Sequence, residues 1–87
     1  MKIIKRNGSE VQFDLSKIEN AIKAANAEVP ANERLTDREV RFASLNVEDA
    51  CRQAGHTVTV EEVQDLVEDQ LMALDRFEVA RKYIIYR

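Results

Sequence analysis

Four basic residues lie close together at the start of a chain that is otherwise acidic. Lys2, Lys5 and Arg6 precede an Asn-Gly turn, and Lys17 follows it by nine residues. The 87-residue chain carries 13 lysines and arginines against 16 aspartates and glutamates, a formal net charge of −3. Ammonium and guanidinium groups gathered at one end of an acidic protein are the groups that bind phosphate. The sequence therefore indicates a candidate anion site near its N-terminus.

Lys17 stands at an unusual place in the first predicted helix. Asp14 is a suitable N-cap for that helix. Apolar residues then repeat at the spacing of one helix face: Ile18, Ala21, Ile22 and Ala25. Lys17 would take the third helical position, where the helix dipole disfavours a cation by about 0.3–1 kcal/mol. Free N–H groups and a cation at a helix start can hold an anion; the alternative is that Lys17 extends into water.

The hairpin predicted around Asn-Gly offers a simpler interpretation of the other cations. A two-residue loop would place Lys5 opposite Glu10 and Ile4 opposite Val11. Lys5 could then be a cross-strand partner of Glu10, a contact that contributes roughly 0.2–1 kcal/mol. On the same interpretation Arg6 is a solvated flank of the turn. Both interpretations, ligand contact and surface charge, stay open on the residues alone.

Three further helices are predicted from their ends. Thr36 with Glu39 and Thr59 with Glu62 have the spacing of a capping box, and Gly55 is suited to end the helix between them. A very short strand is predicted over residues 57–59.

The last helix is predicted to begin at a cap formed by Asp75 with Glu78. Its apolar face is predicted from helical spacing: Phe77, Ala80, Tyr83 and Ile84. The prediction is a single α+β domain over residues 1–87, a small four-helix bundle capped by a short β-hairpin or three-stranded sheet. No stop signal follows this helix before Arg87, so the chain is expected to be the N-terminal piece of a longer polypeptide.

Composition excludes several classes of protein. One cysteine, Cys51, and one histidine, His56, cannot supply an internal disulfide or a four-ligand zinc site. The negative net charge is opposite to that of a typical nucleic-acid-binding domain. No P-loop or Rossmann glycine pattern is present, and no nucleophile stands beside a base, so no catalytic residue is predicted. No signal peptide or membrane span is found, and the cytoplasm is the expected location.

The third helix carries one further candidate. Gln64 lies on its apolar row, where it faces either the polar edge of a ligand or the solvent margin. The acidic residues of the helix are interpreted as its solvated face: Glu61, Glu62, Asp65, Glu68 and Asp69. His56 is interpreted as a surface residue of the preceding loop.

Two stretches of the sequence resemble the ATP-cone family. IIKRNG, followed by FD and Lys17-Ile18, resembles the family's opening signature, and VTVEEVQDLVEDQLM with VARKYIIYR resembles its closing half. The closing half looks most like the cones of anaerobic ribonucleotide reductases. ATP-cones are regulatory domains at the N-terminus of reductase catalytic subunits, and their known fold is a four-helix bundle under a three-stranded sheet. The resemblance implies a domain that is not itself an enzyme and whose effector is ATP, which permits activity, or dATP, which inhibits it, with Mg²⁺ as an optional companion.

The resemblance also implies roles for particular residues. Lys5 and Arg6 match the basic pair that contacts phosphates, and Lys17 matches a further phosphate contact. Asp14 matches a polar position near the adenine. Other positions matched to the surroundings of the nucleotide are Ile3, Ile18, Val60 and Gln64, and Arg87 is expected to add a cation near the phosphates. Some cones have histidine at the position of Gln64 and glutamate at that of Val11, which leaves the contacts at both places open.

Two other functions stay open on the sequence. The same cone occurs in a transcriptional repressor of reductase genes, behind a zinc ribbon whose four cysteines precede the cone; here the first strand follows directly on Met1. A protein-interaction module without a ligand is the second alternative. The expected partners are an adenine nucleotide, the catalytic domain of the same polypeptide and a second copy in an effector-dependent homo-oligomer, with neither nucleic acid nor membrane.

Overall fold

Three short strands and four helices make up the chain, and the computed structural model describes all its residues, Met1 to Arg87. The strands are β1 (Lys2–Ile4), β2 (Glu10–Gln12) and β3 (Val58–Thr59). The helices are α1 (Leu15–Asn26), α2 (Asp37–Gln53), α3 (Val60–Ala73) and α4 (Phe77–Tyr86), with a 3₁₀ turn at Ala31–Glu33. The predicted α+β class, a four-helix bundle capped by a three-stranded sheet, is confirmed.

The central strand of the sheet is β1, which pairs antiparallel with β2 and parallel with β3. Each outer strand leads almost directly into a helix, since β2 is followed by the N-cap Asp14 and β3 by Val60, the first residue of α3. The sheet therefore brings the N-terminal ends of α1 and α3 together beneath the hairpin.

The register of the hairpin differs by one residue from the prediction. Ile3 lies opposite Val11 and Ile4 opposite Glu10. Lys5 is therefore not the cross-strand partner of Glu10, and no ion pair in the structure includes Lys5.

The loop explains the shift. Gly8 N–H donates to the carbonyl of Lys5 at 2.9 Å, and Lys5 N–H donates to the carbonyl of Ser9 at 2.8 Å, so the loop has three residues. Gly8 has a φ of 86°, which glycine adopts without strain. Asn7 accepts hydrogen bonds from the Ser9 N–H and hydroxyl at 3.0 and 2.7 Å. The loop is thus a turn closed by a glycine bulge, a common alternative to the two-residue hairpin.

Most of the predicted helix ends are confirmed. The Asp14 carboxylate accepts from Ser16 N–H at 3.0 Å. Both capping boxes are complete, and Gly55 follows α2 with a φ of 77°. These ends are set by neighbours in sequence, which is why local patterns predict them.

The predicted cap at Asp75 is wrong. Asp75 has a φ of 58° and donates its N–H to Met72 O at 3.0 Å, while Arg76 N–H donates to Leu71 O at 3.0 Å. These two bonds form a Schellman motif, so Asp75 ends α3 rather than beginning α4. Helix α4 starts after Arg76 without a side-chain cap.

Apolar side chains from all four helices and the sheet form one core. The largest fully buried ones are Ile22, Leu71, Val40, Val47, Val67 and Val79. The predicted inner face of α4 is only half right, because Ala80 and Tyr83 are buried whereas Phe77 and Ile84 are 54% and 51% exposed. Helix α4 packs on α1 and α3 through the turn that carries Val79 instead. None of the helices combines the length and apolarity of a membrane span.

Candidate functional site

The N-terminal ends of α1 and α3 enclose an apolar chamber of about 290 Å³ beneath the hairpin. Most residues predicted for the site line this chamber: Ile3, Lys5, Asp14, Lys17, Ile18, Val60 and Gln64. They come from β1, the start of α1 and the start of α3, three segments that the sheet brings together. The apolar chamber has the size and the mixed lining of a small-molecule site.

A basic cleft of about 390 Å³ adjoins the apolar chamber on the side of the hairpin turn. Its cations are Lys5, Arg6 and Arg87. Lys5, Val60 and Gln64 line both cavities, so the two cavities adjoin and form one composite candidate site. Between them the apolar chamber and the basic cleft contain every residue that was predicted for the site.

Lys17 lies at the rim of the apolar chamber without a partner. Its side chain is exposed, and no ion pair or side-chain hydrogen bond includes it. The neighbouring Asp14 carboxylate accepts from the Ser16 hydroxyl at 2.6 Å as well as from its N–H. The Ser16 hydroxyl is the main cause of the lowered pKa of Asp14, with Lys17 a lesser one. Asp14 is therefore a charged helix cap, and Lys17 keeps its donors free.

The two arginines of the basic cleft are held by carboxylates of α3. Arg6 Nε lies 2.6 Å from Glu61 Oε1, and Arg87 Nη1 lies 3.2 Å from Asp65 Oδ1 and also contacts Glu68. The pKa of Glu61 is lowered by its own backbone N–H and by Arg6. The acidic face of this helix is largely solvated, with Glu61 and Asp65 side chains 45% and 68% exposed, and Glu61, Asp65 and Glu68 also pair with the arginines of the basic cleft.

Gln64 lines both the apolar chamber and the basic cleft, and its side chain has an unsatisfied acceptor oxygen. Its Oε1 is buried and has no hydrogen-bond partner in the protein. A buried acceptor without a donor costs about 1–3 kcal/mol. Gln64 as a residue is half-buried, and a donor group on a bound molecule would reach its buried Oε1 only if the side chain turned towards the cavities, so both sequence interpretations stay open.

Replacement of Gln64 by methionine is expected to stabilise the empty protein by about 1 kcal/mol, because a side chain of similar shape would replace an acceptor without a donor. Urea denaturation measures the change. The matched control is Gln70→Met on the same helix, where Gln70 Oε1 accepts from Asn46 Nδ2 at 2.9 Å. That control should destabilise by leaving Asn46 unpaired. Equal destabilisation by both changes would show that Gln64 has a partner in solution.

Five residues line the apolar chamber that were not among the predicted site residues, although the resemblance had already drawn attention to the position of Val11: Val11, Gln12, Phe13, Val63 and Tyr83. The one-residue shift of the hairpin register places Val11 opposite Ile3, whereas the expected two-residue loop would have placed Val11 opposite Ile4. Tyr83 comes from α4, and burial raises its pKa to about 12. Only the packing of α4 against α3 brings Tyr83 to the chamber, although its aromatic type and helical spacing were visible signals.

His56 and Cys51 lie outside both cavities. His56 is exposed, with Nε2 2.8 Å from Glu62 and Nδ1 3.0 Å from the Ala54 carbonyl. The hydrogen bond to Glu62 is the main cause of the raised pKa of His56. Cys51 is buried, and burial raises the pKa of its thiol. No three histidine, cysteine or acidic side chains are grouped as a metal ion would require.

A four-helix bundle under a small mixed sheet, with an apolar chamber beside a basic cleft, defines a small α+β domain with one composite candidate site. A model of the family described as "ATP cone domain" matches residues 1–87. The chain belongs to the ATP-cone family.

Similar proteins are ribonucleotide reductases of three kinds. The anaerobic ribonucleoside-triphosphate reductase of Haemophilus influenzae is 38% identical over 85 residues, which cover 98% of this chain and 12% of that protein. The vitamin B12-dependent ribonucleoside-diphosphate reductase of Mycobacterium tuberculosis is 37% identical, with 99% and 12% covered. The ribonucleoside-diphosphate reductase subunit alpha of Chlamydia trachomatis is 31% identical, with 100% and 9% covered. The chain thus spans about a tenth of the length of these relatives.

Proposed function

We propose that the chain is an allosteric domain that binds ATP or dATP and regulates the overall activity of a ribonucleotide reductase, with ATP activating and dATP inhibiting. The observation that supports this most is that an apolar chamber and a basic cleft adjoin each other and share three lining residues. An adenine nucleotide has the same division, since a planar base lies at one end and a charged phosphate chain at the other.

The apolar chamber would hold the base, and the phosphates would extend from the chamber rim at Lys17 past Lys5 into the basic cleft. Ile3, Ile18 and Val60 offer aliphatic walls, while Asp14 lies at the rim, where its remaining lone pairs could accept from the adenine amino group. The sugar then falls at the junction beside Gln64, whose buried Oε1 could accept from a hydroxyl group once the side chain turns towards the cavities. ATP and dATP differ in one sugar hydroxyl, so the junction is where the two effectors would be distinguished.

The phosphates would meet cations from three segments of the chain. Lys5 lines both cavities, and Lys17 lies at the rim of the apolar chamber. Arg6 and Arg87 line the basic cleft. A phosphate near the start of α1 would also interact favourably with its N-terminal N–H groups and reverse the unfavourable placement of Lys17. Mg²⁺, if it accompanies the nucleotide, would be held mainly by phosphate oxygens, because no three histidine, cysteine or acidic side chains are grouped to hold a metal ion.

The chain supplies regulation rather than chemistry in this proposal. No side chain in the site is placed as a nucleophile with its base. The relatives are about ten times longer, so the catalytic domain of the same polypeptide is the proposed partner, with this chain at its N-terminal end. A change of oligomer that depends on the effector would be one route from the site to the rest of the enzyme.

Thermal melting of the chain with ATP, dATP and GTP, followed by calorimetry, tests the proposal. A ligand that binds only the folded state stabilises it by about 2.7 kcal/mol at a hundredfold excess over Kd, which raises the melting temperature by several degrees. The rise is expected with ATP and dATP and is expected to be smaller with GTP. An unchanged melting temperature with both adenine nucleotides would contradict the proposal and favour a ligand-free interaction module.

A further inference from the structure

Three carboxylates form a row along one face of α3. Glu61, Asp65 and Glu68 are separated by four and three positions, the spacing of one helix face. This row, called the acidic stripe, runs beside the basic cleft. Its members hold the two arginines of that cleft, Arg6 through Glu61 and Arg87 through the other two.

The cations of the site therefore fall into two groups. Lys5 and Lys17 have no ion-pair partner and line the apolar chamber. Arg6 and Arg87 line only the basic cleft and are paired with carboxylates of the acidic stripe. A phosphate next to the sugar would reach the free lysines first. Only a longer phosphate chain would extend to the paired arginines.

We propose that Glu61 of the acidic stripe competes with a long phosphate chain for Arg6 and so weakens the preference of the site for ATP over AMP, an inference that rests on the proposed nucleotide function. The carboxylates act as the counter-anions of the empty site. A triphosphate displaces Glu61 from Arg6, whereas a monophosphate binds at the lysines and leaves that pair intact.

Displacement follows from the electrostatics of the pairs. Glu61 Oε1 lies 2.6 Å from Arg6 Nε, so a phosphate oxygen that contacts the same guanidinium would come close to a carboxylate of like charge. The side chains of Arg6 and Glu61 are 68% and 45% exposed, so Arg6 can turn towards the ligand while Glu61 becomes hydrated. An exposed ion pair of this kind contributes little free energy, so a highly charged ligand can displace its carboxylate at a small free-energy cost.

The test is binding of AMP, ADP and ATP to the Glu61→Gln variant, measured by calorimetry at low salt. Loss of the competing carboxylate should tighten ATP binding by about two- to fivefold, the strength of one exposed ion pair. AMP binding should stay unchanged, and ADP should fall between the two. The ratio of the ATP and AMP affinities therefore rises in the variant.

Glu78→Gln is the matched control. Glu78 also lies in the first turn of a helix, pairs with Arg81 at 3.0 Å and has a side chain that is 43% exposed. It is outside both cavities, so the variant removes the same negative charge without touching the site. ATP binding to this control should match that of the unchanged chain.

Each other result has a separate meaning. Weaker or unchanged ATP binding to the Glu61→Gln variant would overturn the exchange and make Glu61 a residue that positions Arg6. Equal tightening for AMP and ATP, or equal tightening in the Glu78→Gln control, would also overturn it, since the cause would be overall charge. Failure of every nucleotide to bind even the unchanged chain would reject the proposed function itself, and the exchange with it.

Discussion

Replacement of Lys17 by alanine is expected to weaken dATP binding by tenfold or more while leaving the stability of the empty protein unchanged or slightly higher. Lys17 occupies the third position of α1, whose first turn contains no acidic residue. A cation there opposes the helix dipole, so its removal is neutral or favourable without a ligand. With a phosphate bound, the variant loses a charge-assisted contact that contributes about 1.5–3 kcal/mol. Calorimetry gives the affinity and thermal melting gives the stability.

Lys23→Ala is the matched control for Lys17→Ala. Lys23 is exposed in the last turn of the same helix and lines neither cavity. Its removal takes away the same charge and should leave dATP binding unchanged, with a small loss of stability because a cation near a helix C-terminus is favourable. If Lys17→Ala instead melted lower and bound dATP normally, Lys17 would be a structural residue and the proposed site would be misplaced.

Truncation of Leu71 to alanine is expected to give the largest loss of stability of any single change considered. Leu71 lies on α3 and is fully buried, with 0% of its surface exposed. Removing a buried leucine side chain costs about 2–5 kcal/mol, since the surrounding atoms only partly fill the cavity. That is a large part of the roughly 4–13 kcal/mol expected for a domain of this length. Urea denaturation should show a much lower midpoint with a similar slope.

The neighbouring residue provides the control for Leu71→Ala. Met72 lies beside Leu71 on α3 but is 50% exposed, so Met72→Ala should change the free energy of unfolding by less than about 0.5 kcal/mol. Saturating ATP should restore part of the stability that Leu71→Ala loses, because binding favours the folded state. Equal losses from both substitutions would mean that α3 is not packed in solution as the structure describes.

Residues that are neighbours in sequence account for what could be predicted before the fold was known. Asp14 caps α1, two threonine–glutamate boxes begin α2 and α3, and Gly55 follows α2, as expected. Capping bonds join residues two or three positions apart, and helix faces repeat within a few turns, so local patterns carry this information. The α+β class follows from those elements. The candidate cations and Gln64 were visible in the residues, and the other site residues followed from a family resemblance that covers almost the whole chain.

Details that depend on turn geometry or on helix packing could be known only from the tertiary structure. The hairpin register follows from the three-residue loop, one of the turns that an Asn-Gly sequence can form, and a one-residue slip changes which side chains share a face. Helix packing decided that Val79 rather than Phe77 is buried on α4.

The state of the site also depended on the tertiary structure. Arg6 meets Glu61 across 55 positions of sequence, a pair that no local pattern indicates. The unsatisfied Gln64 Oε1 is likewise visible only when its surroundings are known. Sequence determined which cations could bind phosphate, because their chemical type is independent of the fold. Tertiary structure alone decided which of them are free and which are held by a carboxylate, because an ion pair depends on a separation of a few ångströms in space.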